Sequence, residues 1–265
     1  MIGLLFMFFS CDKEEFVNND SGQSVSKSNI PENSNADEIF LGPEIEMGKG
    51  SVNSWIRVNH NSLPVEVGIE MTPEVFIDLP KDSDFGKPII VPLPKIATEL
   101  TPFNHVGINW SPGNYSDIES FNEEHFRFYF YTISLAERML IPAWSLETDI
   151  KFSTYPSKNQ MPYNFFPILK GPGSYAEKGR LWLSGNSGDY TPFSHTLALG
   201  TYNGDFTFIN LMVTSKFLTT GEQPLNNSYS QPLSYPINKL FPREYNIYTT
   251  KKGNYCVSLG NFMHR

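Results

Sequence analysis

Leu197-Ala198-Leu199-Gly200-Thr201-Tyr202-Asn203-Gly204-Asp205-Phe206-Thr207-Phe208-Ile209-Asn210-Leu211-Met212-Val213-Thr214 decides the fold class. Two strand-like runs flank Asn203-Gly204, the strongest short hairpin signal, because a tight mirror-image turn needs positive φ at both central positions. Such a loop also fixes the register. Tyr202 then opposes Asp205, Leu199 opposes Phe208, Leu197 opposes Asn210 and His195 opposes Met212. On that register His195, Leu197, Phe206, Phe208 and Asn210 share one face.

Outward from this hairpin, from Gly48 on, the chain repeats short apolar or alternating runs punctuated by Pro, Gly and Asn. Strands are expected at Ser54–Val58, Glu66–Glu70, Phe126–Ser134, Leu181–Ser184, His195–Tyr202, Phe206–Phe217 and Tyr255–Leu259. The 20 prolines spread along the chain argue against long helices. Short ones are expected at Pro73–Asp78, opened by Thr72, and around Leu135–Met139. The balance is all-β, an antiparallel β-sandwich or jelly-roll-like single domain over residues 48–265. With 21 Phe, 13 Tyr and 4 Trp, that length can bury a sizeable core.

The amino-terminal segment has a different character. Met1-Ile2-Gly3-Leu4-Leu5-Phe6-Met7-Phe8-Phe9-Ser10 is apolar and ends at Cys11, followed by Asp12-Lys13-Glu14-Glu15. The run is about half the roughly 20 residues a bilayer-crossing helix needs. It reads as a lipoprotein signal peptide over residues 1–10, with Cys11 freed by cleavage and acylated by a palmitate-type chain. The Cys-Asp-Lys-Glu-Glu start also resembles an export signal that carries lipoproteins to the outer face of some Gram-negative outer membranes. Residues 11–47 then read as a disordered acidic tether, since Asn, Ser, Asp and Glu dominate its first part and bury too little surface to offset ordering entropy. Of the net charge of −8, residues 12–50 carry −6, leaving −2 for the body. Nucleic acid is a poor partner for such a body, because phosphate binding rests on clustered Lys and Arg. The only thiol besides Cys11 is Cys256, expected as a buried small apolar residue, so no intrachain disulfide is available once Cys11 is acylated.

One further strand alternates cleanly. In His125-Phe126-Arg127-Phe128-Tyr129-Phe130-Tyr131 the phenylalanines share the core face, and His125, Arg127, Tyr129 and Tyr131 share the other. That polar face either lines a pocket or, as in an ordinary antiparallel strand, meets water, and the second is the expectation. His105-Val106, Trp110 with Pro112, this strand, Gly179-x-x-Trp182, Tyr202-x-Gly204-x-Phe206-x-Phe208 and Met212-Val213-Thr214 together resemble an uncharacterised family of bacterial secreted proteins. Its signature is roughly F-D-H-V, W-N-P-x-G-H, P-H-F-D-x-H-F-Y, G-x-H-W and F-x-E-P-M-x-T, and the likeness runs over about residues 48–220. The resemblance implies a cupin-like site in which His and carboxylate side chains alternate along a strand to hold a metal. This chain departs from it: Arg127 replaces the acid, Tyr129 the second histidine, and Asn210 the Glu of the last motif. A lone imidazole beside a fixed cation does not make a zinc-type site.

Other signatures fail on spacing. Gly48-Lys49-Gly50-Ser51 has Gly where a phosphate loop needs Ser or Thr, and Gly185-Asn186-Ser187-Gly188 lacks the spacing of a nucleophile elbow. Asp117, Glu119, Glu123 and Glu124 lack the order of a calcium loop and read as a solvated acidic stretch. The expectation is a surface-exposed outer-membrane lipoprotein, held to the membrane through its lipid, with a non-catalytic binding or envelope role and no cofactor. Its ligand is a sugar, a small molecule or a protein, and self-association is open. The alternative is a metal-dependent enzyme of cupin-like type holding a divalent metal. In either case the candidate pocket comprises His105, His125, Arg127, Tyr129, His195 and Asn210.

Overall fold

The structure, a computed structural model, describes residues 37–80, 88–113, 121–168, 171, 173–185 and 193–264. Cys11, most of the expected tether, Asp117, Glu119 and the Asn186-Ser187-Gly188 turn lie outside them. Two antiparallel sheets carry the fold. One has six strands in the order β1 (Glu38–Met47), β2 (Gly50–Val58), β3 (Pro64–Met71), β14 (Tyr255–Gly260), β13 (Glu244–Thr249) and β12 (Leu225–Ser228). The other has eight: β4 (Ile89–Pro92), β5 (His105–Ser111), β6 (His125–Tyr131), β11 (Asp205–Thr214), β10 (His195–Tyr202), β9 (Gly179–Ser184) and β7 (Phe165–Pro167), with β8 (Ser174–Tyr175) also paired to β9. The all-β sandwich read from the sequence is the observed architecture.

The two sheets share one apolar core. Val52, Val67, Ile69, Ile247, Val257 and Leu259 come from the first sheet; Val106, Ile108, Phe126, Phe128, Phe130, Ile209 and Leu211 come from the second. Each fully buried side chain of this kind stabilises by roughly 1.5–3 kcal/mol. The helices are short: α1 (Lys95–Leu100), α2 (Leu135–Met139), α3 (Asp149–Ser153) and α4 (Ser215–Thr220). The expected helix at Leu135–Met139 is α2, begun by a capping box in which Ser134 accepts from the Glu137 amide and Glu137 accepts from the Ser134 amide. Pro73–Phe76 is a 3-10 turn, and the Thr72 hydroxyl accepts from Ser51 N rather than capping it.

Three expectations need correction. The tether does not reach residue 47, because Glu38–Met47 forms β1. This edge strand is held through its backbone ladder to β2 while most of its side chains stay exposed or half-buried, so composition did not mark it as ordered. Its Gly42-Pro43 falls where the register with β2 shifts, a place an edge strand tolerates proline. The second correction concerns the hairpin. Asn203 and Gly204 have φ of 52° and 87°, and Tyr202 opposes Asp205 as expected. A bulge after Thr201↔Phe206 then shifts every later pair, so Leu199 opposes Ile209, Leu197 opposes Leu211 and His195 opposes Val213. Phe208 lies instead over Gly200, where an added Cβ would stand 2.3 Å from its ring. Because side chains alternate, this one-residue slip sends His195 toward the core side and leaves Phe208 and Asn210 on the opposite face. Third, the polar face of β6 is not solvated: His125, Arg127, Tyr129 and Tyr131 are all buried.

Candidate functional site

The outer face of the eight-stranded sheet is a second, roofed core. Tyr129, Tyr131, Phe208, Ala198, Met212 and Leu181 pack there with Phe121 and Phe193 from the connecting segments. His125 and Arg127 lie at one end of this layer. His125 Nδ1 is 2.6 Å from Glu123 O, so that nitrogen carries the proton and donates. Its Nε2 accepts from Arg127 Nε at 2.8 Å. Complete burial and the Arg127 charge lower its pKa to about 3. The imidazole is therefore neutral at physiological pH, and its single in-plane lone pair is already occupied.

His105 repeats the arrangement at the other end. Its Nδ1 faces Asn104 Oδ1 at 3.2 Å and its Nε2 faces Arg138 Nη1 at 3.4 Å. Its ring stacks on Tyr131 with centroids 4.7 Å apart, and Arg138 covers the Tyr131 ring at 4.6 Å. Burial and Arg138 lower its pKa to about 4. The Arg138 charge is balanced by Glu177 at 2.9 Å. Lys178 sits over the rings of Tyr129 and Tyr175, and burial together with Arg127 and Arg138 pulls it down to about 7. Asn210, only 1% exposed, has neither amide atom hydrogen-bonded.

The candidate pocket thus divides. His125, Arg127, Tyr129 and Asn210 do share the outer face of β6 and β11. His105 pairs with Tyr131 whereas His125 pairs with Ser111, so the two rings sit six pairs apart on the β5–β6 ladder. That is on the order of 20 Å at strand rise. His195 lies on the other side of the sheet, its Nδ1 3.1 Å from the Tyr245 hydroxyl and its ring against Phe217. Among the described residues no three His, Cys, Asp or Glu side chains gather as a metal-binding group. Cys256 is buried and its thiol pKa is pushed up to about 12, chiefly by desolvation, so it fills space as expected.

A second feature had no counterpart in the sequence reading. On the side of the six-stranded sheet facing away from the core lies a groove of about 560 Å³, lined by Arg57, Glu66, Gly260, Glu244, Asn246 and Asn226 and by the apolar Tyr248 and Pro224, with Leu225 and Phe262 bordering it from their places against the core. The register sets these residues in two rows. Arg57, Glu66, Gly260, Glu244 and Ser228 form one; Trp55, Gly68, Ser258, Asn246 and Asn226 form the next.

Hydrogen bonds join the rows into a continuous rail. Arg57 donates to Glu66 Oε2 at 2.7 Å, and Asn246 Nδ2 at 3.1 Å and the Ser258 hydroxyl donate to Glu66 Oε1. Asn226 Nδ2 donates to Asn246 Oδ1 at 2.6 Å and to Glu244 Oε2 at 3.0 Å. Asn261 Nδ2 donates to Glu244 Oε1 at 2.7 Å, and Arg243 holds Asn261 Oδ1 at 2.6 Å. The bonds from Asn226 and Asn261 hold the Glu244 carboxyl below its ordinary pKa. The signal that could have found this row is the alternation Glu244-Tyr245-Asn246-Ile247-Tyr248, which reads as a half-buried strand with polar outward positions. Compared with models of known protein families, with curated proteins and with solved structures, the chain matches none.

Proposed function

We propose that the chain is a lipid-anchored protein of the outer membrane surface that binds a ligand without transforming it, and that the groove on the six-stranded sheet is its binding site. The observation that carries this reading is the hydrogen-bonded rail of Arg57, Glu66, Asn246, Asn226 and Glu244 beside an open groove. Side chains held in place before a ligand arrives lose little entropy when it binds. The histidines support the non-catalytic part: a base or metal ligand needs a free imidazole lone pair, and those of His125 and His105 face arginines.

Two measurements test the reading. In fatty-acid labelling of cells, Cys11→Ser should lose the label while the folded domain is still made; label retained by the variant removes the anchor. Hydrogen exchange of the full-length chain against a panel of sugars, small acids and peptides should show protection confined to the groove strands β2, β3, β14, β13 and β12. Protection at β5 and β6, or turnover of a panel member, would move the site to the histidine face and make the protein an enzyme.

A further inference from the structure

We infer that the groove recognises a neutral glycan, with one sugar unit seated over Gly260 between the carboxylates of Glu66 and Glu244. This rests on the binding reading above and adds the ligand class. The register puts Glu66, Gly260 and Glu244 on three adjacent strands in one row, so the two carboxylates stand about two strand spacings apart, on the order of 10 Å. The glycine between them is itself buried, and its missing side chain leaves a shallow notch between the two carboxylates. A Cβ at Gly260 would stand 3.2 Å from Asn246 Nδ2 and 3.8 Å from Glu66 Cγ, filling that notch.

The donor and acceptor inventory selects hydroxyls. The groove floor lies on the face of the sheet, where backbone groups of β3, β14 and β13 are already committed to their ladders, so recognition falls to side chains. Glu66 Oε2 accepts one bond in the rail and keeps a second lone pair, and Glu244, which accepts from Asn226, Asn261 and Ser228, keeps one of its four. Asn226 donates twice through Nδ2, and its Oδ1 accepts no bond among the described residues. The floor thus offers chiefly acceptors, fixed in direction, to a ligand rich in O–H donors. Glu244 is held ionised by its hydrogen-bond partners, and an anionic ligand would meet two carboxylates at the notch against two guanidiniums that are already engaged, Arg57 with Glu66 and Asp37 and Arg243 with Asn261. Tyr248 and Pro224 supply the apolar surface that the C–H face of a sugar ring requires, while Leu225 and Phe262, which also border the groove, pack against the core beneath.

The test uses the full-length Cys11→Ser chain in affinity electrophoresis against soluble neutral polysaccharides (dextran, laminarin, mannan and xylan), with alginate as a polyanion and casein peptides as a third class. Gly260→Val fills the notch and Glu244→Gln removes a charged acceptor; far-UV circular dichroism and melting temperature establish that each variant is folded. Retardation by at least one neutral polysaccharide is expected. It should weaken about tenfold or more in Glu244→Gln, the scale of one lost charge-assisted hydrogen bond, and vanish in Gly260→Val. Binding of alginate or peptide, in place of the neutral polysaccharides, that disappears in Gly260→Val would overturn the neutral-glycan assignment while leaving the groove as the site. Neutral polysaccharide binding unchanged in both folded variants, or no binding to any probe, would overturn the groove itself.

Discussion

Acidification from pH 7 to pH 5 is expected to destabilise the fold by about 4 kcal/mol, through two buried imidazoles. His125 and His105 have pKa values of about 3 and about 4 in the folded protein, against 6.5 for the unperturbed side chain. Below pH 6.5 the unfolded chain takes up both protons and the native state neither, so the unfolded state binds more protons and stability falls as the pH is lowered. The stabilisation is complete above the unfolded value and is lost as pH drops through the window from about 6.5 to about 4 and 3. Each group forfeits RT ln(1 + 10^(6.5 − pH)), roughly 0.2 kcal/mol at pH 7 and roughly 2 kcal/mol at pH 5. The loss at pH 5 does not depend on the folded values, because both lie well below 5.

Other groups scarcely enter that window. Glu137 and Glu244 have lowered pKa values and matter only under more acidic conditions. Lys178, near 7 in the folded state, finishes protonating and adds under about 0.5 kcal/mol. Urea unfolding followed by tryptophan fluorescence at pH 7, 6 and 5 measures the slope, which should approach ~2.7 kcal/mol per pH unit at the acid end. His125→Gln should halve it. A glutamine amide can still accept from Arg127 and donate to Glu123 O but does not titrate. A wild-type loss below about 1 kcal/mol between pH 7 and 5, or an unchanged slope in His125→Gln, would refute the neutral, arginine-locked imidazoles.

Three further outcomes follow from single contacts. Gly200→Ala should lower stability by about 1–3 kcal/mol in the same unfolding assay, since the new methyl would meet the Phe208 ring that the bulge places there. Wild-type stability should rise by about 2 kcal/mol between pH 7 and pH 9, because folded Lys178 is neutral above about 7 while the unfolded lysine stays protonated; Lys178→Met should flatten that rise. Zinc titration should find no site tighter than micromolar in the wild type, whereas Arg127→Asp/Tyr129→His frees the His125 Nε2 lone pair and adds two ligand types on its face, and should raise the affinity.

The fold was legible where neighbouring residues fix local geometry. Asn203-Gly204 determined its turn, Ser134 with Glu137 determined the start of α2, and the alternating phenylalanines of β6 determined which face enters the core. Legibility ended where distant contacts chose between local options. The bulge in the hairpin is supported by Thr207, whose carbonyl accepts from Thr132 N and whose hydroxyl donates to Lys178 O, contacts made by segments far away in sequence. Nothing in residues 195–214 announces them, yet they decide that His195 and Asn210 look to opposite sides. β1 escaped notice for a related reason, since an edge strand with exposed side chains draws its order from a partner ladder.

The two polar constellations differ in the same respect. His125, Arg127 and Tyr129 stand within five residues and catch the eye as a motif, but chain proximity lets Arg127 satisfy His125 directly, which closes the site to other partners. The groove draws Glu66 from β3 and its bonded neighbours Asn246 and Ser258 from positions 180 and 192 residues away. No window of sequence contains it. A sheet face assembles such a site by register alone, so any one strand shows only polar residues at alternate positions, which is also how a solvated strand looks. What separates the two cases is burial with mutual hydrogen bonding: Glu66 is 6% exposed and bonded at both oxygens, an expense of desolvation that a merely solvated face does not incur. Where a carboxylate is held that way at the floor of a groove, its fixed direction serves a ligand as well as it serves the fold.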